Sequence, residues 1–182
     1  MGSEMCIRDS IGCGGIAQKM AATLEKMKGV ERYAVASRNQ EKAEAFANKW
    51  GFTKAYGSYE ELASDPEVDL IYIATPHAMH YDNAHMCIEK GKPVLCEKAF
   101  TANARQAEDL LAFAKEKGVF ITEAIWTRYM PLSLKIQELL KEGVIGTPYT
   151  LSANLSYPIS NKERIIRPEL AGGALLDIGV YT

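Results

Sequence analysis

Apolar residues along the chain switch repeatedly between two spacings. Ile16, Met20, Leu24 and Met27 recur every three to four residues before Gly29, which predicts an amphipathic helix with those four side chains inward. Tyr33-Ala34-Val35-Ala36 is a short apolar run of strand type, and Ala43, Phe46, Ala47 and Trp50 return to helical spacing before Gly51. Ser58 and Glu61 form a capping box for a third helix. Val68 to Ala74 is almost wholly apolar and stops at Thr75-Pro76, the pattern of a parallel strand buried on both faces. A helix over 78–90 closes at Gly91, and strand Val94-Leu95-Cys96 runs into Glu97-Lys98. Asn103 and Gln106 then open a helix with Ala107, Leu110, Leu111 and Ala114 inward, and Val119-Phe120-Ile121 is the next strand.

Strands and helices that alternate over short connections predict an α/β fold with a Rossmann-type, doubly wound parallel sheet and right-handed crossovers. Ligands of such sheets gather at the carboxyl ends of the strands. The texture changes around Trp126. Pro131 starts a helix through Lys141, and Tyr149 to Tyr157 alternates like a strand exposed on one face. The division is therefore a Rossmann-type domain over 1–125 and the start of a second domain over 126–182. Too few residues follow that last strand to supply it with partners, so the second domain reads as truncated.

Bulk composition narrows the function. The 182 residues are 47% hydrophobic and 24% charged, enough apolar material for one sizeable core. A net charge of −2 gives no drive toward the phosphate backbone of a nucleic acid. No apolar run reaches the ~20 residues that span a bilayer, and the first residues lack the regions of a signal peptide, so neither membrane nor export is expected and the location is read as cytoplasmic. Cysteines 6, 13, 87 and 96 have neither metal-ligand nor disulfide spacing; no metal is expected, and Cys96 reads as core filler.

The candidate chemistry lies at strand ends. Gly12-Cys13-Gly14-Gly15-Ile16-Ala17 spells G-x-G-x-x-A at a helix start, where backbone amides can meet a pyrophosphate; a methyltransferase turn or a plain tight connection has the same spelling. At the end of the second strand stand Ser37-Arg38 and then Lys42, where an NAD enzyme would carry an acidic ribose ligand. These cations suit a 2′-phosphate, which favours NADP over NAD; a solvated helix start is the plainer reading. Lys98, directly after a buried strand with Glu97, is either a site ammonium or a surface salt-bridge partner. His77 and His80, after Thr75 and Pro76, either line a cofactor pocket or pack a helix start. Asp177 and Tyr181 are four residues apart, hence on one helical face: an acid/base pair, with Lys98 as the cation a phenolate needs, or a packing helix with a buried tyrosine.

Taken together, Gly12 to Ala17, Ala74-Thr75-Pro76 with His80, Glu97-Lys98, Glu123-Ala124-Ile125-Trp126-Thr127-Arg128 and the stretch Pro168 to Tyr181 resemble the Gfo/Idh/MocA oxidoreductases in order and spacing. Within that family the chain is most similar to the branch of dimeric dihydrodiol dehydrogenases and NADP-dependent xylose dehydrogenases. The resemblance implies an NADP-binding Rossmann domain followed by an α+β antiparallel-sheet domain that carries substrate pockets and the oligomer interface, in a homodimeric parent. It implies hydride transfer between NADP(H) and a CH–OH group of a sugar, cyclic polyol or dihydrodiol. It further implies that Lys98 contacts cofactor and substrate, that Tyr181 is the general acid/base, that Asp177 orients the substrate, and that Trp126 and Arg128 line the nicotinamide side. A relative of the same fold that binds nucleotide as a sensor or partner subunit, without catalysis, is the alternative.

Two departures from the family pattern stand out. Ala99 replaces the proline of its E-K-P motif, so a constraint on the backbone there, including a cis bond, must come from elsewhere. Residues 1–10 read Met-Gly-Ser-Glu-Met-Cys-Ile-Arg-Asp-Ser where the family has an apolar strand. This segment reads as translated adapter sequence joined to a fragment, rather than as a divergent native start. Arg8, Asp9 and Ser10 would then occupy the most buried strand, and whether the piece itself turns over is left open.

Overall fold

The computed structural model of the chain describes residues 6–159 and 161–181. The first five residues, half of the segment read as foreign, lie outside the described residues, as do the side chains of Cys6, Ile7 and Arg8. Strands β1 (Cys6–Ile11), β2 (Val30–Ala36), β3 (Lys54–Tyr56), β4 (Leu70–Ile73), β5 (Val94–Cys96) and β6 (Ile121–Glu123) alternate with helices α1 (Gly15–Leu24), α2 (Gln40–Trp50), α3 (Tyr59–Ser64), α4 (His80–Glu89) and α5 (Ala104–Lys117). The sheet order is β3-β2-β1-β4-β5-β6, with every pair parallel. The order reverses at β1, so the crevice between the ends of β1 and β4 is where such a sheet offers a binding site.

Successive strand residues point to opposite faces, which makes two cores. Ala34, Ala36, Ile71, Ile73, Val94 and Cys96 pack against the helix residues Leu62, Ala84, Ile88 and Leu110 on one face. Val35 and Tyr72 pack against Ala17, Ala21, Phe46 and Ala47 on the other. Capping explains several helix starts: Ser58 accepts from the Glu61 amide at 3.3 Å, and Asn103 accepts from the Gln106 amide at 3.0 Å.

Some expectations need correction. α1 turns Ala17, Ala21 and Leu24 inward, while Ile16 and Met27 are exposed, so the face that meets the sheet is the one on which Ala17, Ala21 and Leu24 align. Leu111 is likewise exposed. Helix 78–90 begins as a 3-10 turn at His77–Met79, and β6 starts two residues later than Val119. Residues 149–157 form no strand; no neighbouring strand offers them a ladder, and Tyr149 and Leu151 are almost fully exposed. α6 (Pro131–Lys141) matches its expected bounds but has no buried residue. α7 (Glu163–Ile166) and α8 (Ala174–Asp177) are single turns.

The polar first strand takes its place at the sheet centre through one substitution of partners. The register shifts between Arg8 and Ser10, and there the Asp9 carboxyl, not a backbone carbonyl, accepts from the Ala34 amide at 2.5 Å. Its second oxygen has no hydrogen-bond partner among the described residues. Burial pushes the Asp9 carboxyl up to about 8; the Ala34 amide opposes this, and Asp65 and Asp69 add to it. Asp65 shows the contrast: burial alone would raise it, but Lys54, Tyr56, the Glu67 amide and Tyr33 hold it well below the usual carboxylate range.

Because Asp9 binds its proton more tightly when folded, its share of stability is full below pH 3.8 and is lost as pH rises toward about 8. Asp9→Asn keeps an acceptor for Ala34 and removes the charge. The variant is expected to gain on the parent progressively across that window, by about 1–3 kcal/mol at its upper end, as read from urea midpoints. Parallel curves for the two proteins would contradict the assignment.

Candidate active site

At the carboxyl end of β1 the chain turns through Gly12-Cys13-Gly14 into α1. Gly12 has φ of +104°, and a Cβ there would lie 2.8 Å from the Ala74 carbonyl oxygen, so only glycine lets this turn pass so close to the end of β4. Gly14 caps α1 without a side-chain bond, and the first turn carries no acidic residue. A Cβ on Gly14 or Gly15 would meet nothing within 4 Å. The first amides of a ten-residue helix therefore face open space, a donor set that fits a pyrophosphate. Ile16 stands exposed at the rim and Ala17 is buried beneath it. Cys13 is half-buried, and burial pushes its thiol up against the pull of Lys42.

The end of β2 supplies the neighbouring wall. Ser37 is buried; its amide donates to the Tyr56 carbonyl at 3.1 Å, and its Oγ accepts from the Asn39 amide at 3.3 Å. Asn39 caps α2 by accepting from the Lys42 amide at 2.8 Å, which leaves the Arg38 and Lys42 side chains exposed beside the turn. No carboxylate stands at Ser37-Arg38-Asn39, so this corner fits a 2′-phosphate better than a bare ribose diol.

After β4, Thr75 and Pro76 are half-buried at the sheet edge. His80 is fully buried, with Nε2 2.8 Å from the Thr75 carbonyl oxygen and Nδ1 2.8 Å from that of Ala99. It joins the edge at Thr75 to the turn after Lys98 from inside the core, and reaches that edge only through the backbone it holds. Asn83 adds a 3.1 Å bond to the Thr75 hydroxyl. His77 sits 3.3 Å from the Ala171 carbonyl oxygen, and burial pulls its pKa down.

The candidate acid–base residues meet at the carboxyl ends of β5 and β6. Glu97 accepts from the Tyr72 hydroxyl at 2.5 Å and from the Lys98 amide at 3.2 Å, so its carboxylate is anchored from below. The Lys98–Ala99 peptide is cis with alanine in second place, so the bond survives without the motif proline. Lys98 Nζ donates to the Asp177 backbone carbonyl, lies 3.1 Å from Asp177 Oδ1, and sits 4.9 Å from the centre of the Tyr181 ring. The Trp126 indole donates to the Tyr181 hydroxyl at 3.0 Å, with ring centroids 5.8 Å apart. Arg128 is exposed on the same 3-10 turn as Trp126.

Asp177 and Tyr181 do not share one helix. α8 ends at Asp177, and a separate 3-10 turn spans Gly179–Tyr181. What unites them is the Lys98 ammonium between them. Burial would raise the Asp177 carboxyl, but hydrogen bonds from Arg164 and Lys98 outweigh it and hold it below its ordinary value. Tyr181 is pushed above its ordinary value by burial; the Trp126 indole opposes, and Glu97, Asp177 and Glu123 push it further. The hydroxyl is therefore protonated at neutral pH. The expected Lys98–phenolate contact is replaced by an ammonium over the ring face, with Asp177 as its direct partner.

Sequence reading missed Arg164, Glu123 as a charge facing Tyr181, and Tyr72 as the anchor of Glu97. Arg164 is 13 residues from Asp177 with no local period to link them. Among the described residues no group of three or more His, Cys, Asp or Glu could hold a metal, and no helix is long and apolar enough to cross a membrane.

Residues 10–124 match the model of an oxidoreductase family with an NAD-binding Rossmann fold, and residues 133–182 match a GFO/IDH/MocA C-terminal domain. The chain is 50% identical over 138 residues to D-xylose 1-dehydrogenase (NADP(+)) of Hypocrea jecorina, a match covering 70% of this chain and 35% of that protein. It is 42% identical to trans-1,2-dihydrobenzene-1,2-diol dehydrogenase of Xenopus laevis, across 92% of this chain and 52% of the relative. It thus spans about a third to a half of the curated relatives it matches. A solved structure of KijD10, a 3-ketoreductase from Actinomadura kijaniata in complex with NADP and TDP-benzene, superposes with a TM-score of 0.82 at 31% identity, covering 97% of this chain and 55% of that one.

The place of His80 gives a direct test of the sheet edge. His80→Leu preserves bulk but removes the imidazole contacts to the Thr75 and Ala99 carbonyls, so it is expected to lower stability by about 1–3 kcal/mol, measured by urea denaturation. An unchanged midpoint would show that His80 does not hold the two strand ends together.

Proposed function

The chain belongs to the Gfo/Idh/MocA oxidoreductases, and on that premise we propose that it carries the cofactor site and acid–base residues of an NADP-dependent enzyme exchanging a hydride with a CH–OH group of a sugar, cyclic polyol or dihydrodiol. The observation that carries this reading is the convergence of Lys98, Asp177, Trp126 and Tyr181 at the sheet edge that also holds the uncapped α1 turn. When bound, NADP(H) supplies the hydride acceptor or donor at its nicotinamide. The chain does the rest.

The α1 amides would take the pyrophosphate, and Ser37, Arg38 and Lys42 the 2′-phosphate. Thr75, Pro76 and His77, with Glu97 and Lys98, form the edge along which the rest of the dinucleotide would lie, and Trp126 and Arg128 stand opposite. Lys98 polarises the substrate oxygen and stabilises negative charge that develops on it. Tyr181, protonated at rest, gives its proton to that oxygen as a carbonyl is reduced, and takes it back in the reverse direction. Asp177 holds Lys98 in place and accepts a neighbouring substrate hydroxyl. The name of the xylose dehydrogenase relative supports NADP and a pyranose, and the dihydrodiol dehydrogenases support a cyclic diol. A homodimeric parent is part of the proposal, and the exposed apolar side chains of α6 accord with burial against further protein.

Two measurements test the reading. In a version extended to the full length of the relatives, Tyr181→Phe is expected to reduce turnover by about 10²–10⁴-fold, the usual worth of a general acid/base, while NADPH quenching shows unchanged affinity. Undiminished turnover would remove Tyr181 from the mechanism, and NADPH binding with no turnover on any sugar, polyol or diol would favour a non-catalytic sensor. In the chain itself, Arg38→Ala with Lys42→Ala should weaken NADPH binding at least tenfold and leave NADH binding nearly unchanged. Equal losses for both would place the 2′-phosphate elsewhere.

A further inference from the structure

Asp177 is held by two cations, although the proposed reaction asks only that it hold one. Arg164 lies with Nη1 2.5 Å from Oδ1 and Nη2 3.4 Å from Oδ2, while Lys98 Nζ is 3.1 Å from Oδ1 of the same, almost wholly buried carboxylate. Two positive charges and one negative leave the cluster with one unit of positive charge beside Tyr181. Without Arg164 the Lys98 and Asp177 charges would cancel.

The backbone is shaped for this contact. A Cβ on Gly172 would lie 2.6, 2.8 and 2.9 Å from the carbonyl oxygens of Ile165, Arg167 and Arg164, so the strand of chain leading into α8 rests directly on the α7 turn. The Gly172 amide donates to the Arg167 carbonyl at 3.1 Å. Only a residue without a side chain permits that approach, and the approach is what carries Arg164 to Asp177.

We propose that Arg164 is a positioning residue of the acid–base site: by sharing the Asp177 carboxylate with Lys98 it leaves the three-member cluster with a net positive charge beside the Tyr181 ring, so that the site favours the ionised tyrosine at the moment its proton leaves. The proposal rests on the role given to Tyr181 above. The other groups that face Tyr181 are Glu97 from the end of β5, Glu123 from β6, Asp177 from α8 and the Trp126 indole; His77 faces Lys98 and Asp177. All three carboxylates resist ionisation of the phenol and the indole favours it, while the Lys98 ammonium lies over the ring. Arg164 acts at one remove, through Asp177.

The test is a tyrosine titration on the chain itself, with ¹³C at the tyrosine ring carbon that bears the hydroxyl. The resonance missing from Tyr181→Phe identifies Tyr181. Arg164→Met and Arg164→Gln should each move its titration upward by about one pH unit, the size of effect expected from one nearby charge, and Arg164→Lys should restore most of the shift. Glu163→Gln, on the same turn but paired with Arg167, should leave it unchanged. A Tyr181 titration identical in the parent, Arg164→Met and Arg164→Gln overturns the proposal. Failure of the wider reading is separate: full turnover in Tyr181→Phe would remove the acid–base role while leaving this electrostatic result standing.

Discussion

The contact of the Lys98 ammonium with Asp177 is the joint on which the site depends. Lys98 follows the end of β5, paired on both sides by β4 and β6, and Asp177 comes from a single helical turn with no stability of its own. Both side chains are largely buried, with 14% and 7% of their surfaces exposed, so neither can turn to water if its partner is removed. Removing Lys98 takes the ammonium from both the Asp177 carboxylate and its backbone carbonyl, and leaves the carboxylate to Arg164, which is half-exposed. The position of Tyr181 follows from this pair, because its 3-10 turn begins two residues after Asp177 and its ring lies under the same ammonium. The Trp126 indole then fixes the hydroxyl.

In the sheet that presents Lys98, β2, β4 and β5 were legible in the sequence, since each is an apolar run that ends at a polar or proline residue, whereas the short β3 carries no such run and was not foreseen, and β1 is polar. Val94-Leu95-Cys96 followed by Glu97-Lys98 is the clearest instance: the strand has the expected bounds, and the lysine stands at its carboxyl edge. Where the reading failed, the cause was packing. The inward face of α1 is formed by Ala17, Ala21 and Leu24, and Ile16 lies off that face despite its greater hydrophobicity. Alternation from Tyr149 to Tyr157 has the period of a strand, but period alone forms no ladder.

The site was half legible. Lys98, Asp177, Tyr181 and Trp126 were all singled out, and the structure gathers all four. How they touch was not visible: four-residue spacing implied one helical face, whereas the chain breaks after Asp177 and uses Lys98 as the bridge. Arg164 left no local signal, because its link to Asp177 runs through a backbone contact at Gly172 that a sequence pattern does not encode. His80 shows the opposite case, since a histidine beside a binding edge turns out to serve that edge from beneath. The polar first strand is accommodated by a bulge and one side-chain bond, so the glycine turn keeps its geometry while Asp9 bears the strain of burial.

Lys98 holds the segment 172–181 on the sheet edge, and hydrogen exchange on the chain and on Lys98→Met measures this directly. The amides of Asp177, Ile178 and Tyr181, bonded to Gly173, Ala174 and Ile178 respectively, are expected to lose protection in the variant while those of β4 and β5 keep theirs. Equal protection of those three amides in the two proteins would contradict it.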